Sequence, residues 1–167
     1  MKSQYGQEKL EAILQEVAPD NGGVYTLAGD YDHTELVALV IALSNQSDVS
    51  ISNLTKSFGM YHFAEFIAAY PQLFKGLNSS FALLDKVDGF IQEEVKKLYP
   101  GARPPKFYFK AIDDDTVEII YQSPRYLGDV TEGLIQFCAA YYGEKIVVKR
   151  ERLGDKSGSM ERFVITR

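Results

Sequence analysis

Apolar positions recur at spacings of three and four through the first hundred residues, then switch to a spacing of two. The first regime predicts helices. Glu8 to Val17 reads as a short amphipathic helix stopped before Pro19, and Asn21-Gly22-Gly23 reads as a turn. Asp32 is placed to cap a second helix, with Glu35 three residues on. Leu36, Val37, Leu39, Val40, Ile41 and Leu43 make that helix apolar on most sides, which predicts burial. Ser50 caps a third, from about Ile51 to Ala69, which ends near Pro71. Asn78-Ser79-Ser80 opens the longest predicted helix, with Leu84, Val87, Ile91, Val95 and Leu98 on one stripe and Pro100-Gly101 as its stop. In the second regime, Lys106–Ile112 and Thr116–Gln122 alternate as strands, with Phe107, Phe109, Val117, Ile119 and Tyr121 in phase. A helix over Pro124–Tyr142 follows, closed by Gly143, and then a second hairpin, Lys145–Leu153 with Met160–Thr166. The order predicts an α+β fold in one domain, 1–167. Its helical subregion is 1–101 and its antiparallel ββαββ subregion is 102–167.

Composition narrows the function. With 167 residues and a net charge of −5, the chain has no cationic excess for nucleic acid. No apolar run reaches the roughly 18 residues of a membrane span, and the start, MKSQYGQEKL, has no apolar signal core, so a cytoplasmic protein is expected. A single cysteine, Cys138, excludes an internal disulfide and a Cys-cluster zinc site. Seven basic and four acidic residues from Glu144 to Arg167 make a locally basic tail. It reads either as a solvated strand pair or as a docking face for an acidic partner, with Lys149, Arg150 and Arg152 the residues to reverse.

Catalytic signatures are missing. There is no GxxxxGK[ST], no GxGxxG after a strand and no HExxH, and the only histidines, His33 and His62, fall on different predicted helices. An isolated histidine reads as a partly buried polar residue. Asp113-Asp114-Asp115 reads as a tight polar turn rather than a metal cluster. An enzyme is not expected.

Tyr121-Gln122-Ser123-Pro124-Arg125 stands where a strand hands over to a helix. A phenol, a hydroxyl and a guanidinium can converge on one anionic group, and the following helix start adds backbone N–H groups. The same residues are also compatible with a Ser N-cap beside a surface Arg.

The chain resembles the H-NOX (haem nitric oxide/oxygen binding) family. The resemblance runs in order through Val24-Tyr25-Thr26, Tyr31…Glu35-Leu36, Phe58-Gly59…Phe63…Tyr70-Pro71, Leu84-Asp85…Ile91 to Tyr99, Pro100-Gly101-Ala102-Arg103-Pro104-Pro105, Tyr121/Ser123/Arg125 and Glu132-Gly133-Leu134. It implies haem b as cofactor. Tyr121, Ser123 and Arg125 would hold the propionates, Pro105 would pack on the ring and Leu134 would line its pocket. It further implies NO sensing, reported to a separate signalling protein such as a histidine kinase or a cyclic-di-GMP enzyme.

Three departures from the family pattern bear on that expectation. Where the family has its iron-ligating histidine this sequence has Gln92, whose carboxamide is a poor iron ligand and which also fits a polar stripe with Asp85, Asp88 and Lys96. Tyr5-Gly6-Gln7 matches the end of the family's first helix, so a more open pocket is expected. Val130 stands where some members carry an oxygen-stabilising Tyr, which favours NO or CO over O₂. Two readings follow: a gas sensor with altered or weakened haem ligation, or a haem-free regulatory module that binds a partner protein.

Overall fold

A computed structural model of the chain describes residues 5–26, 31–87, 89, 97, 104–154 and 159–167. The chain divides into two compact units, Met1–Leu54 and Thr55–Arg167.

The first unit holds α1 (Gln7–Val17), α2 (His33–Asn45) and the first turn of α3 (Ile51–Ala69). Its core is Ile13, Leu39, Val40, Ala42, Leu43 and Leu54. Asp32 caps α2 by accepting from the Thr34 backbone N–H at 2.9 Å. The expectation of all-round burial for α2 fails at Val37 and Ile41, which are exposed. One stripe of a helix suffices for the contact with α1, and these two residues lie off it.

In the second unit α3 runs on to Ala69, followed by a 3₁₀ turn (Pro71–Phe74), α4 (Ser80–Lys86) and a four-stranded antiparallel sheet. Ser79 caps α4 through the Ala82 N–H at 3.2 Å. The remainder of the long predicted helix lies outside the described residues apart from 87, 89 and 97. Strands β1 (Lys106–Ala111), β2 (Thr116–Gln122), β3 (Val147–Arg152) and β4 (Met160–Thr166) stand in the order β1-β2-β4-β3. In the β1–β2 turn Asp113 Oδ1 accepts from the Asp115 N–H at 2.9 Å, an ordinary Asx turn. Helix α5 (Gly128–Tyr141) joins β2 to β3.

The alternation puts Phe107, Val117, Ile119, Tyr121, Phe163 and Ile165 on one buried face, in a core shared with Ile135 and Cys138 of α5. Helix α5 also lies against α3 with no side chain between them at two points. A Cβ on Gly59 would overlap the Val130 carbonyl, and one on Gly133 would overlap the Lys56 carbonyl. The two contacts mirror each other, since each glycine receives the carbonyl three residues before the other. Further along, Phe63 meets Phe137 with ring centroids 6.0 Å apart, and Ile67 and Tyr141 line one surface depression of about 390 Å³. The two helices therefore run in the same sense.

Candidate functional site

The predicted helix over Pro124–Tyr142 begins four residues late, at Gly128, and those four residues shape the site. Strand β2 ends at Gln122, and the Ser123 N–H donates to the Ser159 carbonyl at 2.8 Å, which keeps Ser123 against β4. The Ser123 hydroxyl accepts from the Arg125 N–H at 3.2 Å and closes a turn over Pro124. Tyr126 then takes a left-handed φ of 55°, so the chain cannot yet be helical. Leu127 gives its N–H to the Tyr121 hydroxyl at 3.0 Å. Thus Ser123 caps a turn rather than the helix, and Tyr121 satisfies the donor at the helix entry.

Tyr121 and Ser123 are buried and Arg125 is exposed. Burial pushes the Tyr121 phenol above its ordinary pKa, with Glu161 adding to the shift, while hydrogen bonds from Ser123 and Leu127 and the charge of Arg125 oppose it. The phenol stays an O–H donor at neutral pH. Its oxygen already accepts from Leu127, so its proton is available to an acceptor. Among the described residues Arg125 forms no ion pair, and its guanidinium is free to take an anion. A buried phenol donor beside an exposed, uncompensated guanidinium suits a carboxylate, and so fits a haem propionate.

Of the other predicted site residues, Pro105 is half-buried just before β1, and Leu134 is half-buried on α5 against the core. Gln92 lies outside the described residues. Among the described residues no cluster of three or more His, Cys, Asp or Glu is arranged for a metal ion. Cys138 is fully buried, and burial raises its thiol far above the usual range, so it carries no thiolate chemistry. His33 pairs with Asp32 at 3.3 Å. His62 stacks on Phe58, with centroids 5.7 Å apart and planes within 10°, and desolvation lowers its pKa below the ordinary imidazole value.

Sequence reading missed a buried ionic network beneath the clamp. Glu161, the cross-strand partner of Tyr121, is 1% exposed. Arg150 of β3 grips it through two bonds, Nε to Oε2 at 2.7 Å and Nη2 to Oε1 at 2.9 Å. Arg150 Nη1 also bonds Asp129 and reaches Glu132 Oε2 at 3.4 Å, and Lys56 Nζ meets Glu132 Oε1 at 2.6 Å. Burial would lower the Arg150 pKa, but Glu161 and Asp129 outweigh it and raise it. Gly128 lies flush on this pair, since a Cβ there would overlap Glu161 Oε2 and Arg150 Nη2. The signal was present: Arg150 and Glu161 are in phase with inward-facing Val148 and Phe163, where an unpartnered charge would be intolerable. Arg150 therefore does not belong to a basic docking face. Lys149 and Arg152 are exposed.

The antiparallel sheet and its packed helices define the fold, and comparison with known proteins gives its family. The Haem-NO-binding (HNOB) family profile matches residues 1–150. The chain belongs to this H-NOX family of haem-based gas-sensor domains. Similar solved structures include the Fe(II)CO H-NOX from Shewanella woodyi with IWP-051 bound (37% identity, 99% of this chain and 87% of that one, TM-score 0.84). The unliganded Fe(II) H-NOX of K. algicida is 25% identical over 99% of this chain and 89% of that one, with a TM-score of 0.89. An S. oneidensis H-NOX in the Fe(II)NO state, 22% identical over 98% and 91%, shares the fold with a TM-score of 0.88. No protein with a curated description matches. Among the described residues no helix is long and apolar enough to cross a membrane.

Proposed function

We propose that this chain binds haem b, senses NO and reports it to a separate cytoplasmic signalling protein, a histidine kinase or a cyclic-di-GMP enzyme. The observation that carries this reading is the Tyr121–Ser123–Arg125 turn: a buried phenol with a proton to give, a hydroxyl bonded to it, and an exposed guanidinium with no ion pair among the described residues. Tyr121 and Arg125 hold the propionates, and Ser123 fixes the turn that presents them. Pro105 and Leu134 lie against the ring, whose removal from water contributes about 25 cal/mol per Å². When bound, the haem iron supplies the coordination site for the diatomic gas. Gln92, as a carboxamide, makes iron ligation at that position weak. Val130 offers a gas no side-chain donor, which favours NO over O₂.

An absorption-monitored haemin titration of the reduced protein, followed by NO, tests this. The expected result is a saturable, shifted Soret band that moves with NO. Arg125→Ala leaves the fold intact and weakens haemin binding about tenfold, the roughly 1.4 kcal/mol of an exposed charge-assisted bond. No saturable band would refute the reading and leave a haem-free partner-binding module. Unchanged affinity in Arg125→Ala would refute the clamp alone.

A further inference from the structure

The contact between α3 and α5 fixes which flank of each helix faces which way. Around α3, measured from Gly59 at about 100° per residue, Lys56 and Phe63 lie roughly 60° and 40° to one side. Phe58 and His62 lie roughly 100° and 60° to the other. Around α5, measured from Gly133, Glu132 lies about 100° to one side, and Val130 and Leu134 lie about 60° and 100° to the other. The Lys56–Glu132 ion pair identifies the facing flanks on one side of the helix pair. On the opposite side Phe58 and His62 of α3 therefore share a wall with Val130 and Leu134 of α5.

That wall has the character of a lining surface. Phe58 is 36% exposed, His62 is exposed, and Val130 and Leu134 are half-buried. The same end of α5 opens directly from the Tyr121–Arg125 turn. His62 is held by its stack on Phe58, and among the described residues neither imidazole nitrogen forms a hydrogen bond. The other histidine, His33, lies in the first unit beside Asp32. Desolvation keeps His62 in the neutral form that metals bind.

We propose that His62 supplies the nitrogen that ligates the haem iron, from the Val130 face where the gas would otherwise bind, so that the imidazole absent at position 92 enters from α3 and NO displaces it. This rests on the haem-binding reading above. The observations behind it are an unpartnered imidazole on the wall shared with Leu134, its ring stacked on Phe58, and the poor donor at Gln92. Neutral imidazole is a far better partner for haem iron than a carboxamide oxygen. With the ligand on α3, a change in iron coordination acts directly on the Gly59–Gly133 contact, where no side chain absorbs a displacement of the backbone.

The test uses the full chain reconstituted with haemin. Absorption and electron paramagnetic resonance spectra are recorded for the ferric, ferrous and ferrous–NO forms of wild type, His62→Ala, His33→Ala and Gln92→Ala. His62 is exposed, so its alanine variant folds, which circular dichroism checks. The expected result is a nitrogen-ligated spectrum in wild type that His62→Ala loses, with at least tenfold weaker haemin retention. Free imidazole restores the spectrum, and His33→Ala leaves it unchanged. An identical spectrum in His62→Ala would overturn the assignment while leaving haem binding intact. So would a spectrum lost only in Gln92→Ala, which would make the carboxamide the ligand. Failure of wild type to bind haemin saturably would overturn the proposed function, and this assignment with it.

Discussion

Removing Arg150 should cost much more than neutralising the carboxylate it grips. Arg150→Met leaves Glu161, with a side chain 2% exposed, facing only Arg152 at 3.6 Å, and Arg152 is itself 61% exposed. It also leaves Asp129 beside that carboxylate without its cation, while Glu132 keeps Lys56. An uncompensated buried charge of this kind costs about 3–5 kcal/mol. Glu161→Gln keeps the shape and the polar atoms, and Arg150, 22% exposed, retains Asp129 and Glu132. The expected loss is about 1–2 kcal/mol. In the double variant Arg150→Met/Glu161→Leu the two losses do not add, because the second change removes the orphaned charge, with a coupling of about 1–3 kcal/mol. Urea unfolding at neutral pH and low salt measures all three. If Arg150→Met costs no more than Glu161→Gln, or if the double variant is simply additive, the network does not neutralise Glu161 and the reasoning fails.

Gly133→Ala and Gly59→Ala each force a Cβ onto a facing backbone carbonyl, so each should destabilise by about 1–3 kcal/mol, whereas Gly76→Ala meets nothing and loses only its favourable positive φ. Thermal unfolding that leaves both helix variants at the wild-type midpoint would contradict the close crossing. Tyr121 has a folded pKa above its unfolded value, so its contribution is fully present below about pH 10 and is lost as pH rises through the folded value. Wild type should accordingly lose more stability between pH 9 and pH 11 than Tyr121→Phe does, and the variant should lack one late-titrating phenolate in the ultraviolet titration. Equal losses in the two proteins would refute the burial of that phenol.

Period-two alternation fixed the limits of β2 and β4, because a strand with one face in the core tolerates no slip of register. The beginning of α5 was not legible. Its first four predicted residues have helical composition, and the chain is held out of the helix by a tertiary bond, Leu127 to Tyr121, together with a left-handed Tyr126. Tyr121, Ser123 and Arg125 were readable as one group because they stand within five residues of each other. The ionic network spans Lys56 to Glu161 and closes only when four elements meet, so no local pattern contains it. The basic tail misled for the same reason: net charge counts Arg150 as surface, whereas its counter-charges come from α5 and β4.

The entry to α5 is secured from several directions: by Tyr121 at Leu127, by Gly128 against the Arg150–Glu161 pair, and by Asp129 and Glu132 on Arg150. The helix is 14 residues long, about 21 Å from end to end. With one end held as a fulcrum, it has the geometry of a lever. A tilt of roughly 5° about that first turn, too small to break any of those bonds, carries the far end at Tyr141 through about 2 Å. Tyr141 is exposed there, so a slight change at the clamp would be magnified where the outside can feel it.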